Sequence, residues 1–178
     1  MPALVGRPAP PGSTIGVVTP GSPPESRAAV ERGVAWWESQ GYRVKLADGV
    51  FSRDDYVAGD PQQRAADLNA LFADPEVDLV QALQGGYGSA QTIPYLDFDT
   101  IADNPKPLVG FSDITALHVA VRQRAGFPTV YGNGLVGVGD PEVTEFTRKR
   151  LLDVLTGAAT GSVPPNPDDP YTRAISSG

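Results

Sequence analysis

The sequence contains no cysteine. Disulfides, thiolate–zinc sites and a cysteine nucleophile are therefore excluded, and the composition fits a reducing cytoplasm, the compartment expected here. Histidine is almost as scarce, His118 being the single one. Any mechanism that needs an imidazole base must use that residue or take a histidine from outside this chain. Positive charge is also short: 14 Lys and Arg against 21 Asp and Glu give a net charge of −7. Neither nucleic acid nor an anionic membrane is expected as a partner, since both need clustered cations. No apolar run approaches the ~18 residues of a membrane span. The Pro-rich opening "MPALVGRPAPPGS" lacks the apolar core of a signal peptide. One histidine and scattered acids give no metal-ligand spacing, so no metal and no cofactor are expected.

What remains suits one α/β domain with a real core: 178 residues, 40% of them hydrophobic. Strand and helix signals alternate. "TIGVVT" (14–19) is β-branched, and "ESRAAVERGVAWWESQ" (25–40) carries a helical period stopped by Gly41. "YRVKLA" is a second strand, followed by a polar loop over 47–59. Asp60-Pro61 caps and opens a helix whose Leu68, Leu71 and Phe72 share a face. "VDLVQAL" (77–83) is a third strand ending at "QGGYGS", and an irregular helical region covers about 90–103. "KPLVGF" (106–111) is a fourth strand, "SDITALHVAVRQRAG" a helix ending at Gly126, and "PTVYG" a fifth strand. Asp140-Pro141 is expected to cap a last helix reaching Leu155. The alternation predicts an α/β fold, a mostly parallel sheet with helices on both faces. Ligands of such sheets sit beyond the carboxyl ends of the strands. Three Gly-rich corners lie there: Pro20-Gly21, Gln84 to Ser89, and Gly110 to Asp113. The domain is expected over 14–156. Residues 1–13 read as a flexible N-terminal segment, and 157–178 as a linker or the start of a C-terminal domain missing from this chain.

Ser112, in "VGFSDITAL", has two readings. Serine is a preferred N-cap, and Asp113 suits the first turn of a helix. A serine on a sharp strand-to-helix corner is also the form of a nucleophile elbow, in which the next residue's N–H helps bind an oxyanion. The G-x-S-x-G pattern is only partly met, because Ile114 holds its last position. "GGYGS" resembles a dinucleotide fingerprint, but Gln91 stands at the sixth position and no acidic residue ends a strand about 20 residues on. The turn also reads as glycines needing φ > 0, or as N–H groups offered to an anion. His118 lies on the helix after Ser112, about 240° around it and ~9 Å along, which assigns it a structural role. The acid pairs Asp54-Asp55, Asp97/Asp99 and Asp168-Asp169 read as solvated or capping carboxylates. Trp36 and Trp37 point about 100° apart, so one is assigned to the core and the other to a domain or subunit contact, with a homodimer as the expected assembly.

The segments "YVAGDPQQRAADLNALFADPEVDLV" and "GGYGSAQTIPYLDFDTIADNPKPLVGFSDITALH" resemble the LD-carboxypeptidase family of serine peptidases, which includes the microcin-immunity peptidases. The resemblance covers about residues 14 to 155. It implies a flavodoxin-like or class I amidotransferase-like N-terminal domain and a Ser–His–Glu triad with Ser112 as nucleophile. It implies an oxyanion hole made by the backbone N–H groups of Asp113 and Gly86, with Gly85, Tyr87 and Gly88 on the substrate side. The implied substrate is a peptide with a free carboxylate, cleaved at an L-to-D bond. Murein tetrapeptide is the best-known case, and related members cleave peptidyl-nucleotide antibiotics. The family's Glu and His lie in a second, C-terminal domain, so this chain is expected to be the nucleophile-bearing half and inactive alone. Two departures bear on substrate preference: Gln84 stands where the family usually has Arg, and Asn133 where it has Pro. A non-catalytic module that holds a carboxylate or a nucleotide at its glycine corners is the rival reading.

Overall fold

Among the described residues the aliphatic and β-branched runs form five strands: β1 (Thr14–Val18), β2 (Arg43–Leu46), β3 (Leu79–Ala82), β4 (Leu108–Gly110) and β5 (Val130–Tyr131). In this computed structural model, which describes residues 7–159 and 166, they pair in the order β2-β1-β3-β4-β5, each pair parallel. Among the described residues six α-helices cover the sheet: α1 (Arg27–Ser39), α2 (Pro61–Ala73), α3 (Phe98–Asp103), α4 (Thr115–Arg124), α5 (Leu135–Val138) and α6 (Glu145–Leu155).

Alternation along the strands divides the core into two layers, because successive side chains point to opposite faces. Val18, Val80, Ala82 and Leu108 pack with Leu68 and Phe72 of α2, Ile101 of α3, and Leu117 and Val121 of α4. Ile15, Val17, Leu79, Leu83 and Val109 pack on the other face with Val30 and Trp37 of α1, Leu135 of α5, and Leu151 and Leu155 of α6. Trp37 is fully buried. Its indole N–H donates to Gln81 Oε1 at 2.8 Å, and Gln81 Nε2 donates onward to the Asn133 carbonyl at 2.9 Å. A buried polar residue in the middle of β3 is thereby satisfied on both its donor and acceptor sides. Truncating Trp37 to Ala would cost about 3–5 kcal/mol, the usual range for a core aromatic. Trp36 is only half-buried and sits edge-on to Trp37, centroids 4.7 Å apart.

Caps follow side-chain chemistry. Ser26 Oγ accepts from Ala29 N–H, Asp60 Oδ1 from Gln62 N–H at 2.7 Å, and Asp97 Oδ1 from Thr100 N–H. Asp140-Pro141 does not cap the last helix as expected. Asp140 closes a local turn by accepting from Glu142 N–H, and Thr144 Oγ1 caps α6 by accepting from Thr147 N–H. Both residues are good caps, and Thr144 lies directly before the apolar period of α6. The loop over 47–59 contains a 3-10 turn, Asp48–Phe51, whose Val50 is fully buried. The N-terminal segment expected to be flexible is anchored from Ala9, which is fully buried. Ala9 N–H donates to Leu155 O at 2.8 Å, and Ala9 O accepts from the Tyr42 hydroxyl. Asp168 and Asp169 lie outside the described residues.

Candidate active site

β1 feeds outward to β2 on one side, while β3 lies on its other side. The switch in connection direction therefore falls between β1 and β3, where an open parallel sheet leaves a crevice at its carboxyl edge. Three corners converge there: Pro20 to Pro23 after β1, Gln84 to Ser89 after β3, and Phe111 to Asp113 after β4.

Ser112 has φ +57°, and only Asp55 shares a positive φ among the described non-glycine residues. The helix-cap reading fails. Phe111 occupies the cap position of the 3-10 turn Ser112–Ile114, which leads into α4, and no side chain caps it. A β-carbon in the left-handed region costs about 1–2 kcal/mol and persists only where its surroundings enforce it. Those surroundings are specific. Ser112 N–H donates to the Tyr131 hydroxyl at 3.2 Å, and its carbonyl accepts from Thr115 Oγ1 at 2.6 Å. Just before it, the Gly110 carbonyl accepts from Gly132 N–H at 2.9 Å and faces His118 Nε2 at 3.0 Å. A Cβ on Gly110 would lie 2.6 Å from Ile114 Cγ2. Ile114, fully buried, thus fills the space beneath the elbow where the usual motif has its last glycine. Ser112 is exposed, and its Oγ makes no hydrogen bond among the described residues.

The "GGYG" turn packs directly on this corner. A Cβ on Gly85 would lie 2.9 Å from Ser112 Cβ and 3.4 Å from Ser112 Oγ, so only glycine allows the approach. Gly86 and Gly88 hold φ of +102° and +99°. A Cβ on Gly86 would also collide with Ser22. Ser22 N–H donates to Gly85 O at 3.3 Å, and Ser22 Oγ accepts from Tyr87 N–H at 3.1 Å, tying the β1 corner to the turn. The backbone N–H groups of Gly86 and Asp113 have no acceptor among the described residues. Tyr87 is 70% exposed and meets Tyr56 edge-on, centroids 6.3 Å apart. The turn leads into a 3-10 helix, Ser89–Tyr95, containing Pro94, whereas a dinucleotide fingerprint opens an α-helix.

His118 is buried on α4 and makes no hydrogen bond to Ser112. Its Nδ1 is buried without a partner among the described residues. Nε2–H therefore donates to Gly110 O, and burial pushes the imidazole pKa down, only partly offset by that carbonyl. Gln84 Nε2 donates to the carbonyls of Ser22 and Pro23, at 3.3 and 2.8 Å. Gln84, expected from the sequence to bear on substrate preference, is thus engaged within the fold.

Three contributors escape a reading by motif. The Asp113 carboxylate accepts from Ser89 N–H at 2.8 Å, and Ser89 Oγ donates to Asp113 O at 2.6 Å, fastening the two glycine corners together. Tyr131 holds the Ser112 amide. Arg64 lies beneath the β1 and β3 corners; its spacing of four and seven from Leu68 and Leu71 places a charge on the apolar stripe of α2, the one sequence signal it gave. Among the described residues no group of three His, Cys, Asp or Glu could hold a metal ion, and no helix is long and apolar enough to cross a membrane.

The family model described as LD-carboxypeptidase N-terminal domain fits residues 15–132. A probable murein peptide carboxypeptidase of Bacillus subtilis is 34% identical over 165 residues, covering 84% of this chain and 51% of the relative. A putative carboxypeptidase of Streptomyces coelicolor is 40% identical over 167 residues, covering 86% of this chain and 53% of the relative. The solved structure of the microcin C7 self-immunity protein MccF superposes with a TM-score of 0.82 at 29% identity, covering 86% of this chain and 47% of that one. The chain thus spans about half the length of the relatives it matches. The family model spans well over half of the chain, and the chain belongs to the LD-carboxypeptidase family, as its N-terminal domain.

Proposed function

We propose that this chain is the nucleophile-bearing half of a serine carboxypeptidase that hydrolyses an L-to-D peptide bond, as in murein tetrapeptide. Ser112 Oγ attacks the carbonyl carbon of the scissile bond. The displaced amine leaves as the terminal D-amino acid, and water then releases the acyl group from Ser112. The negative oxygen of each tetrahedral intermediate is held by the N–H groups of Asp113 and Gly86, a contribution typically of about 10²–10³ in rate per donor. Gly85, Tyr87 and Gly88 form the wall along which the substrate lies. The Ser112 proton passes to a histidine outside this chain, oriented by a glutamate also outside it. His118 is unsuited to that role, since its Nε2 is engaged by Gly110 O and its ring is buried.

The observation that carries the reading is the left-handed Ser112, exposed at the end of β4 and packed against Gly85. The B. subtilis relative's name as a murein peptide carboxypeptidase supports the substrate class. The test is release of a terminal D-amino acid from murein tetrapeptide by the protein in the length its gene encodes. Full activity in Ser112→Ala would overturn the assignment. The likeness to MccF favours a second reading, in which the same serine cleaves a peptidyl-nucleotide. An aminoacyl sulfamoyl nucleoside assayed beside the murein peptide separates the two.

A further inference from the structure

Arg64 is the most deeply buried charged side chain among the described residues, 2% exposed. Its guanidinium makes no ion pair among them; its acceptors are all neutral. Nε donates to Gly59 O at 3.1 Å, Nη1 to Pro20 O at 2.5 Å and to Gly88 O at 2.9 Å, and Nη2 to Gln91 Oε1 at 2.8 Å. Burying a cation with no direct ion pair is costly: burial pushes the guanidinium pKa down, offset only in part by the Asp113 and Asp60 carboxylates nearby. The acceptors come from three segments: the corner after β1, the entry to α2, and the turn after β3 together with the 3-10 helix it leads into. No other described side chain joins all three. Gly88, one of the acceptors, is two residues from Gly86. Across the same turn the Asp113 carboxylate takes the Ser89 N–H, so the glycine turn is held from both sides.

We propose that Arg64 is a positioning residue for the oxyanion hole: by clamping the Pro20 and Gly88 carbonyls together it sets the Gly86 amide against Ser112. This rests on the reading that the Gly86 N–H binds the oxyanion. The planar fork is essential, because a lysine ammonium cannot span carbonyls in three directions from one fixed plane.

Two measurements on Arg64→Lys and Arg64→Met test it. In the 178-residue chain, amide hydrogen exchange over residues 84–91 should rise at least about tenfold, while β1 and β3 keep their protection. In the protein at the length its gene encodes, kcat per serine titrated with a fluorophosphonate should fall about a hundredfold with KM within about threefold, the pattern of a loss felt in the transition state. Unchanged exchange over 84–91, or a rise spread evenly through the core, would reduce Arg64 to a packing residue and overturn the proposal. Should Arg64→Met fail to fold, Arg64→Lys, which keeps charge and bulk, decides alone. If the unmodified protein releases no D-amino acid, the proposed reaction fails, while the exchange result still decides whether Arg64 holds the turn.

Discussion

The backbone N–H of Ser112 donates to the hydroxyl of Tyr131, 3.2 Å away on the edge strand β5. The bond reaches across from the end of one strand to the end of its neighbour, and it satisfies an amide that the elbow turns out of the ladder. Tyr131→Phe should remove the acceptor, lowering stability by about 0.5–1 kcal/mol, the net worth of an ordinary hydrogen bond. Urea unfolding of the two chains reads the difference; equal midpoints would show that water replaces the hydroxyl without loss.

Ser112 carries a conformational penalty that glycine does not. Ser112→Gly should therefore raise the unfolding free energy by about 1 kcal/mol, since φ +57° is free to glycine, partly offset by the looser unfolded chain. The same change removes the proposed nucleophile, so greater stability should accompany complete loss of hydrolysis. A Ser112→Gly chain less stable than the parent would mean that the elbow is not strained.

Gly86 combines a φ of +102° with a side-chain direction blocked by Ser22. Gly86→Ala should displace the turn and lower kcat about 10²–10³-fold, as for loss of an oxyanion donor. Wild-type kcat in this variant would remove the turn from the site.

His118 links stability to pH. Burial depresses its pKa in the folded chain, whereas the unfolded chain keeps a value of about 6.5. Below that value the unfolded state binds the extra proton first, so stability is full above pH ~6.5 and falls as pH drops toward the folded pKa. The added proton would sit on Nδ1, which has no partner among the described residues. Urea unfolding at pH 8 and pH 5 should show a larger loss in the parent than in His118→Gln. Identical losses would place the titration elsewhere.

The helix start at Asp60, the strands and the glycine corners were legible because each depends on residues close in sequence. The sign of φ at Ser112 was not. Serine followed by Asp is an equally good helix cap, and Ile114 hides the usual glycine signature. The left-handed form emerges only when Gly85, Tyr131 and the Gly110 bonds close around it. Thr144 displaced Asp140 as the cap of α6 for a related reason: two competent caps stood a few residues apart, and packing of α6 on the sheet chose between them.

Composition and local pattern by themselves determined the α/β class, the single histidine and the serine corner after β4, since propensity, capping and burial period act over a few residues. Tertiary structure alone decided that the corners after β1, β3 and β4 meet, and that Arg64 and Asp113 hold them together. Gly85 and Ser112 lie far apart along the chain and come into contact only because β3 and β4 pair side by side. That pairing is fixed by hydrogen bonding and two-faced burial across the whole sheet, which no short stretch of sequence encodes.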